Sequence, residues 1–123
     1  MPEDPAKLQK RMRDVAQFFP RFVIEHILEP IEFEEDEGAL FEGRTRESIP
    51  LHQNVNAILK SFRQECAALE ERLQGAGRAD LVAEARRAAQ RVSDTQPASR
   101  VGEVKEMLDE AAGILENAAG RLA

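Results

Sequence analysis

The chain has 123 residues, of which 42% are hydrophobic and 33% are charged, and its formal net charge is −6. This length allows one modest hydrophobic core, this composition excludes a disordered chain, and the single cysteine excludes an internal disulfide. Because no apolar run reaches roughly 18–20 residues and no basic stripe carries interleaved aromatics, we expect a cytoplasmic protein with neither a membrane nor a nucleic acid as partner.

Residues 1–28 have the pattern of an amphipathic helix. Asp4 followed by Pro5 is typical of a helix start, with Asp as the N-cap and Pro at the first helical position. Four apolar residues then share one face, at spacings of four, three and four: Leu8, Met12, Val15 and Phe19. Pro20 either kinks this helix or begins a second one that ends near Leu28.

Residues 29–49 form an acidic connector, and the helical period is lost there. Residues 25–47 hold nine acidic and two basic side chains. Apolar and acidic residues alternate over 31–34 as in a half-buried strand, and Glu37-Gly38 is a turn signal. A short β-hairpin and an irregular acidic loop are equal alternatives for this connector.

Residues 50–123 carry the strongest helical signal in the sequence. A heptad seam alternates spacings of four and three, and its residues are Leu51, Val55, Leu59, Phe62, Cys66, Leu69 and Leu73. Gly75-Ala76-Gly77 and the break at 93–97 divide the region into helices at about 50–74, 79–93 and 99–122. The predicted fold is therefore all-α: an antiparallel three-helix bundle, preceded by one or two helices and the acidic connector, within a single compact domain.

No catalytic or metal-binding motif is present in the sequence. Neither His26 nor His52 has a glutamate three residues before it, so the Glu-x-x-His pair of di-iron bundles is excluded. The acidic residues around Gly38 do not match the spacing of a calcium-binding loop. We expect no enzymatic activity, no metal and no cofactor, and no motif identifies a family.

The first third of the chain is the predicted site of function. It holds five of the six phenylalanines and a run of carboxylates, and the candidate partner-binding residues are Phe18, Phe19, Phe22, Phe33, Phe41, Glu32, Glu34, Glu35 and Asp36. These aromatic rings either bury their area against the bundle or line a groove for a partner. The carboxylates would steer a partner with a basic surface.

These features predict a non-catalytic protein–protein interaction module with an adaptor, regulatory or assembly role. A homodimer is a further expectation, because a heptad seam can pair two chains in a coiled coil. The alternative function is a helical bundle that binds a small molecule in its core, in a space that the alanine-rich helices leave beside Phe62 and Cys66.

Overall fold

The computed structural model describes residues 4–30, 51–96 and 99–122, and these residues confirm the predicted all-α fold. Helix α1 spans Pro5–Ala16 and continues through two π-helical turns, Gln17–Arg21 and Ile24–Leu28. The other helices are α2 (Leu51–Gly75), α3 (Ala79–Arg91) and α4 (Val101–Gly120). The part of the predicted hairpin or acidic loop that follows residue 30 lies outside the described residues.

The four helices form an up-down-up-down bundle in which α1 packs between α2 and α4. Near one end of the bundle, Gln9 Nε2 donates a 2.8 Å hydrogen bond to the carbonyl of Ala119. Toward the other end, Lys105 Nζ lies 3.9 Å from Glu29 Oε1, so α1 and α4 run antiparallel. The helix that the sequence places ahead of a three-helix bundle is thus packed into a four-helix arrangement. The predicted division into domains stays a prediction.

One hydrophobic core is shared by all four helices. The α2 seam faces this core, with side chains that are at most 1% exposed: Val55, Leu59, Phe62, Cys66, Leu69 and Leu73. Opposite it, α3 and α4 contribute small buried residues such as Ala85, Ala88, Ala111 and Ala112. The described residues of the heptad seam therefore pack against other helices of the same chain.

The first helix stays helical across Pro20. Its buried residues include a run at a constant spacing of four: Leu8, Met12, Ala16, Pro20, Ile24 and Leu28. In a regular α-helix a spacing of four drifts by about 40° per step, so such a run would wind away from the core. The wider π-helical turns around Pro20 and after Val23 offset this drift. Of the two sequence interpretations of Pro20, the structure shows the one with a single continuing helical segment.

The turn between α2 and α3 explains why these helices are antiparallel. Gly77 has a φ of +73°, in the left-handed region that glycine adopts without a steric penalty. The amide of Arg78 donates to the carbonyl of Leu73 at 2.9 Å, and the amide of Gly77 donates to that of Gln74 at 3.1 Å. These two bonds form a Schellman motif, which ends α2 within a few residues of the start of α3.

Asn56 on α2 holds the segment between α3 and α4. Its Oδ1 accepts hydrogen bonds from the Thr95 amide at 2.7 Å and from Thr95 Oγ1 at 2.8 Å, and its Nδ2 donates to the Thr95 carbonyl at 3.0 Å. Thr95 is only 2% exposed, so water cannot replace these partners fully. No local sequence pattern indicates this pair, because its members are 39 residues apart.

Replacing Asn56 with alanine is expected to lower the free energy of unfolding by about 1–3 kcal/mol, because buried polar groups of Thr95 lose their hydrogen bonds to Asn56. Urea denaturation of Asn56→Ala and wild type measures the difference. The control is Gln53→Ala, an exposed substitution three residues earlier on α2, which should have little effect. Equal stability of the two variants would contradict the role given to Asn56.

Cys66 is a buried structural thiol, and we expect it to be unreactive in the native protein. Its side chain is 0% exposed, and burial raises the pKa of the thiol to about 12, with a smaller contribution from Glu70. Because the thiolate is the nucleophile, a disulfide reagent at neutral pH should react slowly with the folded protein and rapidly in denaturant. Fast reaction under native conditions would contradict this burial.

Candidate functional site

Among the described residues, the exposed large apolar side chains are Phe18 and Phe22, which are 60% and 40% exposed. They lie about one helical turn apart, on the side of α1 that faces α2. Together with neighbouring residues they line a largely apolar groove of about 380 Å³, which we call the aromatic groove; its lining residues are Phe18, Phe19, Phe22, Ala57, Ile58 and Ser61. Phe19 differs from the other two rings because it is partly buried against the core.

The π-helical turn Gln17–Arg21 sets the direction of these rings. Pro20 in this turn is buried, so the side of the turn that carries it faces the core. Phe18 lies on the other side and points into solvent. Such a turn is frequently found at functional sites, because it redirects side chains without breaking the helix.

Arg21 fixes the same turn to α4. Its Nη2 lies 2.8 Å from Glu116 Oε1 and its Nε lies 3.2 Å from Glu116 Oε2, which makes a bidentate pair. Its Nη1 also pairs with Asp109. The hydrogen bond to Glu116 is the main cause of a raised pKa of Arg21, so the guanidinium stays charged. The backbone that carries the rings of Phe18 and Phe22 is therefore held in place by α4, on the side opposite to the rings.

His26 extends the aromatic surface by one helical turn. The centroids of its ring and the Phe22 ring are 4.8 Å apart, and the ring planes are tilted by 37°. This distance is within the range of a favourable aromatic pair. His26 is exposed, so the contact leaves an imidazole edge at the border of the aromatic groove.

A second, acidic groove lies on the other side of α1, between α1 and α4. It has a volume of about 420 Å³, and its lining residues are Arg21, Ile24, Glu25, Glu29, Gly102, Lys105, Glu106 and Asp109. Carboxylates outnumber basic side chains in this lining. The surface on the α4 side of the C-terminal part of α1 is therefore acidic.

A third groove, of about 610 Å³, lies between α3 and α4. Its lining residues are Arg87, Gln90, Arg91, Glu110, Gly113, Ile114 and Asn117. The charged side chains of this lining are engaged within the chain: Arg91 pairs with Glu110, and Arg87 Nη2 lies 3.0 Å from Glu84 Oε2. Compared with the aromatic groove, it offers no exposed large apolar side chain.

The predicted site residues divide into two sets. Phe18, Phe19 and Phe22 are described, and the structure brings them together on one groove. The remaining candidates lie outside the described residues: Phe33, Phe41, Glu32, Glu34, Glu35 and Asp36. The binding of a partner by these nine residues stays a prediction.

Sequence reasoning missed the α2 side of the aromatic groove and the contribution of His26. Ile58 is an apolar residue directly before the seam residue Leu59, and this position was the one available signal. Pairing Ile58 with Phe18 requires knowing that α1 packs antiparallel on α2, and no local pattern carries that information.

Within the described ranges, no group of three or more histidine, cysteine or acidic residues is arranged to hold a metal ion. None of the helices described has the length and apolarity needed to cross a bilayer. No protein-family model matches the chain, and no curated protein or solved structure is significantly similar to it. The chain's own residues are therefore the basis on which its function is inferred.

Proposed function

We propose that this protein is a non-catalytic protein–protein interaction module with an adaptor, regulatory or assembly role, and that it binds its partner in the aromatic groove. The observation that carries the proposal is the exposure of two phenylalanine rings, whereas the other large apolar residues described are fully or partly buried. Grouped apolar exposure of this kind is typical of interaction sites. Phenylalanine is also among the residues enriched in the buried centre of interfaces.

The rigidity of the groove supports a role in binding. The π-helical turn that carries Phe18 is held by Arg21 against α4, and Ile58 on the opposite side belongs to α2, a helix of 25 residues. A preformed groove avoids much of the entropy cost of ordering side chains at an interface. Binding should therefore require little rearrangement of the backbone.

The flanking carboxylates favour a partner with a basic surface. Glu25 and Glu29 follow the exposed rings along the same helix and line the groove on its α4 side. Charges at the rim of an interface mainly accelerate association and make it sensitive to salt. Replacing Glu25 and Glu29 with glutamine should therefore slow association at low salt while leaving the dissociation rate nearly unchanged.

The test is affinity capture from a cell lysate with wild type and with a Phe18→Ser/Phe22→Ser variant as parallel baits. Both changes are on exposed positions, so the variant should stay folded, which its helical circular dichroism can verify. The matched control is Gln90→Ala/Asn117→Ala in the α3–α4 groove. We expect specific captured proteins to be lost from the phenylalanine variant alone, and an identical set from all baits would contradict the proposal.

Two further properties belong to this proposal. The chain acts without catalysis, in keeping with a sequence that carries no catalytic motif. It works in the cytoplasm, where a single buried thiol such as Cys66 stays reduced.

A further inference from the structure

We propose that Met107 is a modification site, at which a peroxide oxidises the thioether to a sulfoxide and the Ser93 amide and hydroxyl then hold the new oxygen. Met107 lies on α4, and Ser93 lies in the segment that joins α3 to α4. Neither residue lines the aromatic groove, so this site goes beyond the proposed function and does not depend on it.

The Ser93 amide has a thioether as its hydrogen-bond acceptor. Helix α3 ends at Arg91, and the next amide, that of Val92, still donates to the carbonyl of Ala89 at 3.3 Å. The Ser93 amide donates instead to Met107 Sδ at 3.4 Å, and Ser93 Oγ lies 3.7 Å from the same sulfur. A thioether sulfur is a weak acceptor, whereas a sulfoxide oxygen carries partial negative charge. Two donors therefore face an acceptor that oxidation would improve.

An oxidant can reach Met107 through a polar groove of about 370 Å³. Met107 and Ser93 both line this groove, and most of its other lining residues are charged or carry a hydroxyl group. A water molecule takes about 30 Å³ of the liquid, so the groove has room for hydrogen peroxide and for the added oxygen. Met107 is 8% exposed, whereas Met12 in the core is 0% exposed. Met107 is thus the more accessible of the two described methionines.

The reaction needs a two-electron oxidant, and hydrogen peroxide is sufficient. A sulfur lone pair attacks one peroxide oxygen, the O–O bond breaks and an S–O bond forms. The departing hydroxide takes the proton from the transferred oxygen and leaves as water. The sulfur is oxidised by two electrons, and the peroxide is reduced by two.

The surroundings of Met107 suit the polar product. A sulfoxide in an apolar core disrupts packing, because it turns an apolar side chain into a polar one. The flexible methionine side chain can turn its new oxygen toward the Ser93 donors. Ser93 lies two residues before Thr95, which Asn56 holds from the α2 side. Oxidation should therefore tighten the same segment from the α4 side and leave the bundle folded.

Graded oxidation followed by peptide mass spectrometry tests the access of the oxidant. Folded wild type is treated with hydrogen peroxide, and the sulfoxides of Met107 and Met12 are followed in separate peptides. We expect Met107 to oxidise at least about tenfold faster than Met12 in the folded protein, and at a similar rate in denaturant. Equal rates in the folded protein, or no sulfoxide at Met107, would overturn the proposal.

Amide exchange measured by NMR tests the contact with Ser93. In protein oxidised at Met107, the Ser93 amide should exchange at least about threefold more slowly than in reduced protein, because its hydrogen bond is stronger. An unchanged or faster exchange rate would mean that the new oxygen is not held there, and the proposal would be wrong.

Two variants at position 107 test the same contact without an oxidant. Met107→Gln places an amide oxygen near the position of the sulfoxide oxygen, and Met107→Leu removes the acceptor. We expect Met107→Gln to melt at a temperature at least as high as Met107→Leu. In the matched control pair, Met12→Gln should melt well below Met12→Leu, because position 12 lies in the core. A lower melting temperature for Met107→Gln than for Met107→Leu would overturn the proposal.

Discussion

The Phe62→Ala variant is expected to unfold with a free energy about 3–5 kcal/mol lower than that of wild type. Phe62 is the largest fully buried side chain among the described residues and lies in the middle of the α2 seam. The core to which it belongs includes small alanines on α3 and α4, which cannot extend to fill the space that the ring leaves. The cost should therefore include both the lost burial and the cavity. Urea denaturation monitored by circular dichroism measures it.

The matched control for this prediction is Phe22→Ala, which makes the same chemical change at an exposed position. Surface substitutions of this kind usually change stability by no more than about 0.5 kcal/mol. A small effect at Phe22 beside a large effect at Phe62 would show that the exposed ring is not needed for folding. Equal losses from the two variants would mean that Phe22 is part of the core, which would remove the basis for the aromatic groove.

A chain truncated to residues 48–123 is expected to lose cooperative unfolding. Residues of the α1 segment fill one side of the shared core, and the buried ones include Leu8, Met12, Val15, Val23, Ile24 and Leu28. Burying each of these side chains contributes roughly 1.5–3 kcal/mol, whereas the net stability of a domain is about 5–15 kcal/mol. Removing them would also expose apolar residues of α4 that face α1. Thermal unfolding, binding of a hydrophobic dye and amide exchange would report the loss.

The opposite result of the truncation is equally informative. A broad thermal transition with strong dye binding would support a single cooperative bundle of four helices. A sharp transition with native-like amide protection would show that residues 50–123 fold as a three-helix domain without α1, against the predicted single compact domain. The candidate binding surface would then be an appendage to that domain.

The local parts of the fold were predictable because their signals are local. The heptad seam and the glycine-rich turn predicted helices at about 50–74 and 79–93, and the structure has Leu51–Gly75 and Ala79–Arg91. The last helix, predicted at about 99–122, spans Val101–Gly120. Differences of one or two residues are expected at helix ends, where the first and last turns lack some hydrogen bonds.

The position of α1 could not be predicted, because it depends on contacts between distant residues. The sequence pattern placed Leu8 and Val15 on one face but left two interpretations of Pro20. The bidentate pair of Arg21 with Glu116 links positions 95 residues apart. Nothing in the spacing of either residue indicates that pair. The same limit applies to the aromatic groove: its rings on α1 were candidates, and its wall on α2 was found only in the structure.

The central claim, that Phe22 lies at a protein-binding surface, is tested most directly by photo-cross-linking. A photoreactive phenylalanine analogue at position 22 should form covalent adducts with partner chains in living cells, while the same analogue at position 90, in the α3–α4 groove, should not. Absence of adducts from position 22, or equal yields from both positions, would contradict the claim.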